Sequence, residues 1–209
     1  MKRLALLLPL ALWSLPAHAH PHVMVAVTSE VIFADGKVAG IRHHWTFDDM
    51  YSAFVTANLG KNGKDPTTAE LQPVAQTNVE SLKEFDYFTV PKMNGKKAGF
   101  GDAKDYSMTF DGKEKTATLH FTLPLAEAIA ARTFVFQIYD PSYFVAFSFE
   151  KGDPVKLLNA PAGCSLSVSK PKALDSEESK KLNESFFSGL SPGSDFGAKL
   201  ADRAIVACP

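Results

Sequence analysis

The sequence predicts an α+β fold: a mainly antiparallel β-sheet or sandwich with a helical insertion and a late C-terminal helix. Strand-like alternation of apolar and polar residues occupies residues 22–47 and returns after residue 84. Helical spacing is confined to about residues 48–84 and to a late segment near residues 175–190. This order lacks the repeated strand–helix alternation of parallel α/β proteins. Residues 20–209 are long enough to bury a sizeable core, and we expect them to form a single domain.

Two adjoining strands are predicted at residues 22–33 and 37–47. In the first, apolar residues occupy most of the odd-numbered positions. In the second, Ile41, Trp45 and Phe47 share one face. An Asp-Gly pair separates the two runs and indicates a turn, so the strands are expected to form an antiparallel hairpin.

The register of this hairpin decides which side chains meet. A three-residue loop with its glycine in the left-handed position pairs Phe33 with Lys37 and keeps the apolar faces together. A two-residue Asp-Gly turn would pair odd with even positions, and we reject it for that reason. The accepted register places His22 opposite Asp48. In this register His44 lies four residues along the hairpin from the level of His22. At about 3.4 Å per residue this separation is roughly 14 Å, so one ion cannot bridge His22 and His44.

The helical insertion, about residues 48–84, carries recognisable helix ends. Asp48 is placed to cap a first helix, and Gly60 is a stop signal for it. Thr67-x-x-Glu70 matches the capping box of a second helix. We therefore expect two helices between the early and the late strands.

Further strands and one more helix follow the insertion. Several β-rich runs are separated by turn signals such as Asp-Gly and Asp-Pro. These runs are residues 84–90, 105–110, 115–123, 132–139 and 143–150. A late helix is predicted from Asp175, where an Asp-x-x-Glu pattern precedes Leu182 and Phe186 at helical spacing.

The first 19 residues have the features of a secretory signal peptide. Lys2 and Arg3 provide a positive start, and a short apolar run follows at residues 4–15. Ala17-His18-Ala19 then matches a small-x-small cleavage site. The apolar run is shorter than the roughly 20 residues that a membrane-spanning helix needs, and no later run is apolar enough. We predict cleavage after Ala19, export to the periplasm and a chain that does not span the membrane.

The only two cysteines, Cys164 and Cys208, are expected to form a disulfide. An even pair in an oxidising compartment favours this pairing. The bond would close a loop of about 45 residues and contribute roughly 4 kcal/mol to stability in the chain-entropy model. Two free thiols are the alternative.

Charge and motif content argue against several classes of function. The chain has 22 basic and 23 acidic residues, so it lacks the basic surplus expected of a nucleic-acid-binding protein. The sequence contains no G-x-S-x-G, no H-E-x-x-H and no phosphate-binding glycine loop. Residues 58–70 only loosely resemble a calcium loop and lack its oxygen ligands, so no calcium is predicted. We expect a non-enzymatic protein.

Histidines near the cleavage site are the main candidate metal ligands. After cleavage, His20 becomes the first residue, and its α-amine and imidazole can chelate one zinc, copper, nickel or cobalt ion. Pro21 has no N–H, so the four-nitrogen square-planar copper mode is blocked. His22 beside the chelate and Asp48 are further candidate ligands. The alternative is that these histidines are only the end left by signal-peptide removal.

The remaining candidate ligands have simpler interpretations. His43 shares an apolar strand face and is expected in the core. His44 and His120 are typical of solvated strand faces, because polar residues flank each of them at alternate positions. Met24 and Met50 are more typical of packing residues than of ligands.

Several stretches of the chain are distinctive in combination. They are HPHVMV (20–25), IRHHWTFDDMYSAF (41–54), NVESLKEFDYFT (78–89), IYDPSYFVAF (138–147), DPV (153–155), APAGCS (160–165) and a terminal CP (208–209). Together they resemble a bacterial domain-of-unknown-function family, catalogued as the periplasmic component of an uncharacterised ABC-type transport system. Members are often linked with nickel, cobalt or zinc transport genes. The resemblance therefore implies metal handling, with an inner-membrane metal transporter as a partner.

The leading hypothesis is a periplasmic accessory protein that binds or delivers a transition metal ion. One alternative is an interaction module that contacts an envelope membrane protein through aromatic residues such as Tyr139 and Tyr143. A second alternative is a copper redox enzyme with a terminal histidine ligand. Separately, the terminus alone gives the chain a looser likeness to periplasmic copper-resistance sandwich proteins, which also begin with a metal-binding histidine.

Overall fold

A computed structural model describes residues 22–130, 132–171 and 196–209, which form two β-sheets with helices. The strands are β1 Val23–Ala34, β2 Lys37–Phe47, β3 Thr89–Met93, β4 Lys96–Lys97, β5 Lys104–Asp111, β6 Thr116–Ile129, β7 Thr133–Ile138, β8 Val145–Phe149, β9 Val155–Leu158, β10 Ser165–Ser169 and β11 Arg203–Ala207. The α-helices are α1 Asp49–Thr56, α2 Thr68–Lys83 and α3 Phe196–Leu200. The predicted α+β class with mainly antiparallel sheets is confirmed.

The two sheets share one hydrophobic core. The first has the strand order β5-β6-β2-β1-β8, with β9 also paired to β1, and the second has the order β10-β11-β7-β3-β4. Among the strands of the described residues, only β8 and β9 run parallel to their partner; they align with Val23–Val27 and Ser29–Ile32 of β1. Rings from both sheets meet in the core, where His43 of β2 lies 6.0 Å from Phe136 of β7 between ring centroids.

The hairpin β1–β2 departs from the predicted register. Ala34 pairs with Lys37 across a two-residue Asp35-Gly36 turn, in which both residues have positive φ (50° and 73°), as a type I′ turn requires. The register then shifts by one, and Ala39 is the extra residue of a β-bulge. The predicted three-residue loop was wrong, because the bulge restores the odd–odd pairing that a two-residue turn alone would lose.

Beside the bulge, β6 approaches β2 closely. A Cβ atom at Gly40 would lie only 2.5 Å from the carbonyl oxygen of Leu123. Glycine therefore permits the pairing of Gly40 with Pro124 at this point of the sheet.

Helix α1 begins at the predicted cap. Asp48 accepts a hydrogen bond from the backbone N–H of Tyr51. The helix ends at Thr56, earlier than expected, and Gly60 instead adopts φ 71° ahead of a 3-10 turn at Lys61–Gly63. A Cβ atom there would meet the carbonyl oxygen of Lys64, so Gly60 is required by the turn rather than by the helix end.

Helix α2 carries the predicted capping box. The Thr67 hydroxyl accepts from the backbone N–H of Glu70, and the Glu70 carboxylate accepts from the backbone N–H of Thr67. Pro73 lies inside the helix without ending it. The buried face of α2 consists of Leu71, Ala75 and Val79. This face joins the common core, which explains why the insertion packs against the sheets.

Residues 84–90 were expected to be a strand, but only the part from Thr89 onward is one. Residues 86–88 form a turn in which three consecutive non-glycine residues have φ of 50°, 52° and 48°. Left-handed backbone costs roughly 1–2 kcal/mol per residue of this kind. Tyr87 is buried within the turn, and its hydroxyl accepts a hydrogen bond of 3.1 Å from the backbone N–H of Ala103. These contacts hold the turn in place.

The predicted disulfide between Cys164 and Cys208 is confirmed. It joins the residue before β10 to the residue after β11, two strands that pair with each other.

The predicted late helix from Asp175 lies outside the described residues, which include instead the short α3. None of the helices in the described ranges is long and apolar enough to cross a membrane.

Candidate metal centre

His22 stands at the start of β1 and is fixed by its neighbours. Its backbone N–H donates to the carbonyl oxygen of Phe144 at 2.9 Å, and the N–H of Val23 donates to the same oxygen at 3.3 Å. The imidazole stacks on the Phe144 ring with centroids 4.6 Å apart. The His22 side chain is nevertheless exposed. His20 and the expected cleavage site after Ala19 lie outside the described residues.

Asp48 lies opposite Met24 and not, as predicted, opposite His22. The Asp48 backbone N–H donates to the Met24 carbonyl at 3.0 Å, and Asp48 Oδ2 accepts from the Met24 N–H at 2.6 Å. The other carboxylate oxygen, Oδ1, accepts from Tyr51 N–H at 2.7 Å. The predicted pairing of Asp48 with His22 was wrong because it assumed a three-residue loop in the hairpin. The capping role of Asp48 is confirmed, and a ligand role stays a prediction.

Two methionines near this end of the hairpin are exposed rather than packed. Met24 is 54% exposed on β1, and Met50 is 69% exposed on α1, the two elements that Asp48 ties together. Phe144 and Phe54 are exposed as well. The expectation that both methionines serve packing was therefore wrong, and His22 stands beside accessible apolar side chains.

His43 is a core histidine, as expected. It is fully buried, with Nδ1 2.8 Å from Ser29 Oγ and Nε2 3.4 Å from Thr89 Oγ1. Burial, with a smaller contribution from the nearby His44, lowers its pKa to about 3. The ring is therefore neutral at physiological pH, and both of its nitrogens already have hydroxyl partners.

The structure brings together two histidines that were each expected on solvated strand faces. His44 of β2 and His120 of β6 are directly paired, and their Nδ1 atoms are 2.7 Å apart. Nε2 of His120 lies 2.8 Å from Thr109 Oγ1 on β5. Nε2 of His44 lies 3.9 Å from a carboxylate oxygen of Glu30 on β1. Four neighbouring strands thus contribute to one polar cluster.

Both imidazoles in this cluster are half-buried, and burial lowers the pKa of each. For His44, the Glu30 carboxylate opposes this shift and the Arg42 guanidinium adds to it. Arg42 is itself paired with Glu30 at 2.9 Å. Burial therefore favours the neutral form of both imidazoles, which is the form that can bind a metal ion.

The sequence offered no signal that would pair His44 with His120. Alternation placed each histidine on the outer face of its strand, but the strands are separated by the whole helical insertion. Within the described part of the chain, no group of three or more His, Cys, Asp or Glu side chains is arranged to hold a metal ion. The N-terminal site therefore depends on His20, and the His44–His120 cluster offers two nitrogen ligands.

Comparison with known proteins identifies relatives over the full length. A protein of Haemophilus influenzae, described as an uncharacterized protein, is 24% identical over 210 residues, which is 100% of both chains. A family model described as "Protein of unknown function (DUF1007)" matches residues 5–208. Because this match spans nearly the whole sequence, the chain belongs to the DUF1007 family.

Proposed function

We propose that the protein is a periplasmic, non-enzymatic accessory component of a transport system that binds or delivers a transition metal ion. The ion is held at the processed N-terminus by His20 and His22. The observation that carries this proposal is the fixed and exposed position of His22, two residues after the first residue expected in the mature chain. The Cys164–Cys208 disulfide supports an oxidising compartment outside the cytoplasm.

The chemistry of the site follows from its nitrogen ligands. The α-amine and imidazole of His20 supply a chelate, and the imidazole of His22 supplies a third nitrogen from a position that Phe144 holds by stacking. Nitrogen ligands of this kind suit Zn(II), Cu(II), Ni(II) or Co(II). Asp48 is the nearest carboxylate along the hairpin, but both of its oxygens already accept backbone hydrogen bonds.

The family resemblance supports the transport context and names the class of partner, an inner-membrane metal transporter. In this context, the exposed His22 would present the ion at one end of the molecule. An open, few-ligand site also exchanges its ion more readily than a closed four-ligand site, which suits delivery rather than storage.

The first experiment is an intact-mass measurement of the exported protein, which should begin at His20. Calorimetric titration with Zn(II) or Cu(II) then compares this protein with a form that carries one added alanine ahead of His20. The added residue separates the free amine from the imidazole chelate while leaving His22 and the fold unchanged. Affinity at this site should fall, and His22→Ala should also weaken it. Equal affinity in all three proteins would refute the terminal site.

Asp48 is tested separately because its cap role and its ligand role predict different results. Asp48→Asn keeps an oxygen that can accept the helix-cap hydrogen bond but removes the charge. If Asp48 is a ligand, this variant should lose metal affinity. If Asp48 acts only as a cap, metal affinity should be unchanged and only the thermal stability of the protein should change.

A second candidate function, an interaction module, is favoured by exposed apolar side chains on α1, whereas the predicted contact residues Tyr139 and Tyr143 are half-buried. Met50 and Phe54 are 69% and 77% exposed on the same helix. Such a group of accessible apolar residues is typical of a contact surface. If it contacts an envelope membrane protein, Met50→Ser with Phe54→Ser should reduce recovery of the protein with the membrane fraction while leaving metal titration unchanged. Unchanged recovery would exclude this surface.

A further inference from the structure

We propose that His44 and His120 form a second transition-metal site, on the outer face of the first sheet. In this site, Nδ1 of each imidazole binds the same divalent ion, such as Zn(II). The site is independent of signal processing, because both ligands belong to the described β-sheet. It therefore goes beyond the proposed N-terminal function and does not depend on it.

The first argument is the distance between the two ligand atoms. The two Nδ1 atoms are 2.7 Å apart on directly paired positions of β2 and β6. Two imidazole nitrogens on one tetrahedral zinc ion, each at about 2.05 Å, are roughly 3.3 Å apart. Widening the gap by about 0.6 Å and turning both lone pairs towards a common point would therefore admit the ion.

The second argument concerns the positions of the protons. A neutral imidazole carries a single N–H. Nε2 of His44 faces the Glu30 carboxylate, which only accepts hydrogen bonds, and Nε2 of His120 faces the Thr109 hydroxyl, which can accept one. When both rings carry their proton on Nε2, which these two oxygens can accept, both Nδ1 atoms present lone pairs to each other. A positive charge between the two Nδ1 atoms would stabilise that arrangement.

The third argument concerns the groups that face the Nε2 atom of each ring. Histidines that bind metal ions usually donate their other ring N–H to a carboxylate or another oxygen, which fixes the ring orientation. Thr109 occupies this place for His120 at 2.8 Å. The Glu30 carboxylate lies farther from His44 Nε2, at 3.9 Å, and Arg42 holds this carboxylate at 2.9 Å. The cluster therefore has two nitrogen ligands, one supporting hydroxyl and a carboxylate nearby.

A proton is the competing occupant of the same gap. If one ring carried its proton on Nδ1, it would donate directly to the Nδ1 of the other, and the pair would be an ordinary hydrogen bond. The 2.7 Å separation of the two Nδ1 atoms is also the distance of such a hydrogen bond. A test must therefore distinguish a metal ion from a single shared proton.

Two protein ligands leave the remaining coordination positions to water or to a partner molecule. We expect weaker binding here than at a four-ligand structural site, and faster exchange. The half-exposed face that carries the histidines keeps the ion accessible. A role in handing metal to a transporter would rest on the proposed function, whereas metal binding itself would not.

The test is calorimetric titration of the exported, processed protein with Zn(II) alone. Wild-type protein should bind two ions. His120→Asn and, separately, His44→Ala should lose one of them, with affinity at that site falling about tenfold or more. The form with an added alanine ahead of His20 should lose the other ion and keep this one. The two proposals can therefore fail separately.

Two further measurements guard against loss of fold and against the shared-proton alternative. Thr109→Val keeps both histidines but removes the oxygen that faces His120 Nε2, and should weaken binding roughly tenfold, as removal of such partners does. Nitrogen NMR of the histidine rings should show the Nδ1 signals of His44 and His120 shifting on addition of Zn(II). Unchanged Nδ1 signals in excess Zn(II), or unaltered titration of folded His120→Asn, would overturn the proposal.

Discussion

Nδ1 of His43 lies 2.8 Å from Oγ of Ser29 across directly paired positions of β2 and β1, and both side chains are buried. The imidazole is also surrounded by the rings of Trp45, Phe121 and Phe136. A charged ring would lose its hydration in this setting without gaining a carboxylate partner. For this reason, the folded protein holds His43 in its neutral form.

This burial predicts a pH-dependent stability. The pKa of His43 is about 3 in the folded state, against an ordinary value of 6.5 that it regains on unfolding. Between these values the unfolded chain binds the proton and the folded chain does not. The contribution of neutral His43 is therefore fully present above pH 6.5 and is lost as pH falls towards 3, by up to about 1.4 kcal/mol per pH unit.

Urea unfolding at pH 7.5, 6.0 and 5.0 measures this loss. His43→Gln cannot titrate and should show a flatter dependence on pH, whatever its absolute stability. His44 and His120 also have lowered pKa values and should add to the slope in both proteins. An equally steep slope in His43→Gln would contradict this account.

The disulfide is expected to make a large contribution to the free energy of unfolding, which can be measured by removing the bond. The two cysteines are 44 positions apart, so their bond restricts the unfolded chain substantially. Replacing Cys164 and Cys208 together with serine should lower the free energy of unfolding by roughly 4 kcal/mol. Reduced wild-type protein is the matched control and should lose a similar amount. A loss below about 1 kcal/mol in either protein would show that the bond contributes little.

Gly36 in the hairpin turn and Gly99 should respond differently to replacement by alanine, although both have open space around them. A Cβ atom at Gly36 or at Gly99 would meet no atom within 4 Å, but only Gly36 has a left-handed φ, at 73°. Gly36→Ala should therefore cost about 1 kcal/mol or more in unfolding free energy. Gly99→Ala should be neutral or slightly stabilising. Equal effects in thermal unfolding would remove the conformational argument for the Asp35-Gly36 turn.

The left-handed turn at residues 86–88 predicts a stabilising substitution. Asp86 is exposed and has φ 50°, which glycine adopts without steric cost. Asp86→Gly should raise the free energy of unfolding by up to about 1 kcal/mol, since the steric relief exceeds the added entropy of the unfolded chain. Glu84, with φ −65°, is the control, and Glu84→Gly should destabilise. Destabilisation by both changes would mean that Asp86 makes a contact of its own.

Local patterns in the sequence predicted the elements that depend on neighbouring residues. The alternation in β1 and β2, the Asp48 cap and the Thr67–Glu70 capping box all involve residues within a few positions of one another, and all are confirmed. The disulfide was predictable for a different reason, because two cysteines allow only one pairing. The N-terminal metal ligands stay a prediction, since His20 lies outside the described residues.

Features that depend on distant residues were not predictable in this way. The bulge at Ala39 fits the close approach of β6, and the hairpin sequence alone does not reveal that approach. Likewise, His44 meets His120 only because β2 pairs with β6 across the insertion. The left-handed turn contains no glycine, and of its three residues only Asp86 is of a type that favours positive φ. It is held instead by the burial of Tyr87 and its contact with Ala103.

The position of β11 between β10 and β7 has a consequence for the order of folding. The second sheet cannot close until residues 203–207 have been synthesised, and β1 must wait for β8 and β9 to gain its second neighbour. Contacts over such sequence separations form slowly, on the order of milliseconds to seconds, because long loops must close first. The second sheet and the parallel neighbours of β1 should therefore remain unformed while most of the chain is being made. A chain whose folding is delayed in this way is easier to pass through a narrow secretion channel, so this strand order would suit the export that we propose.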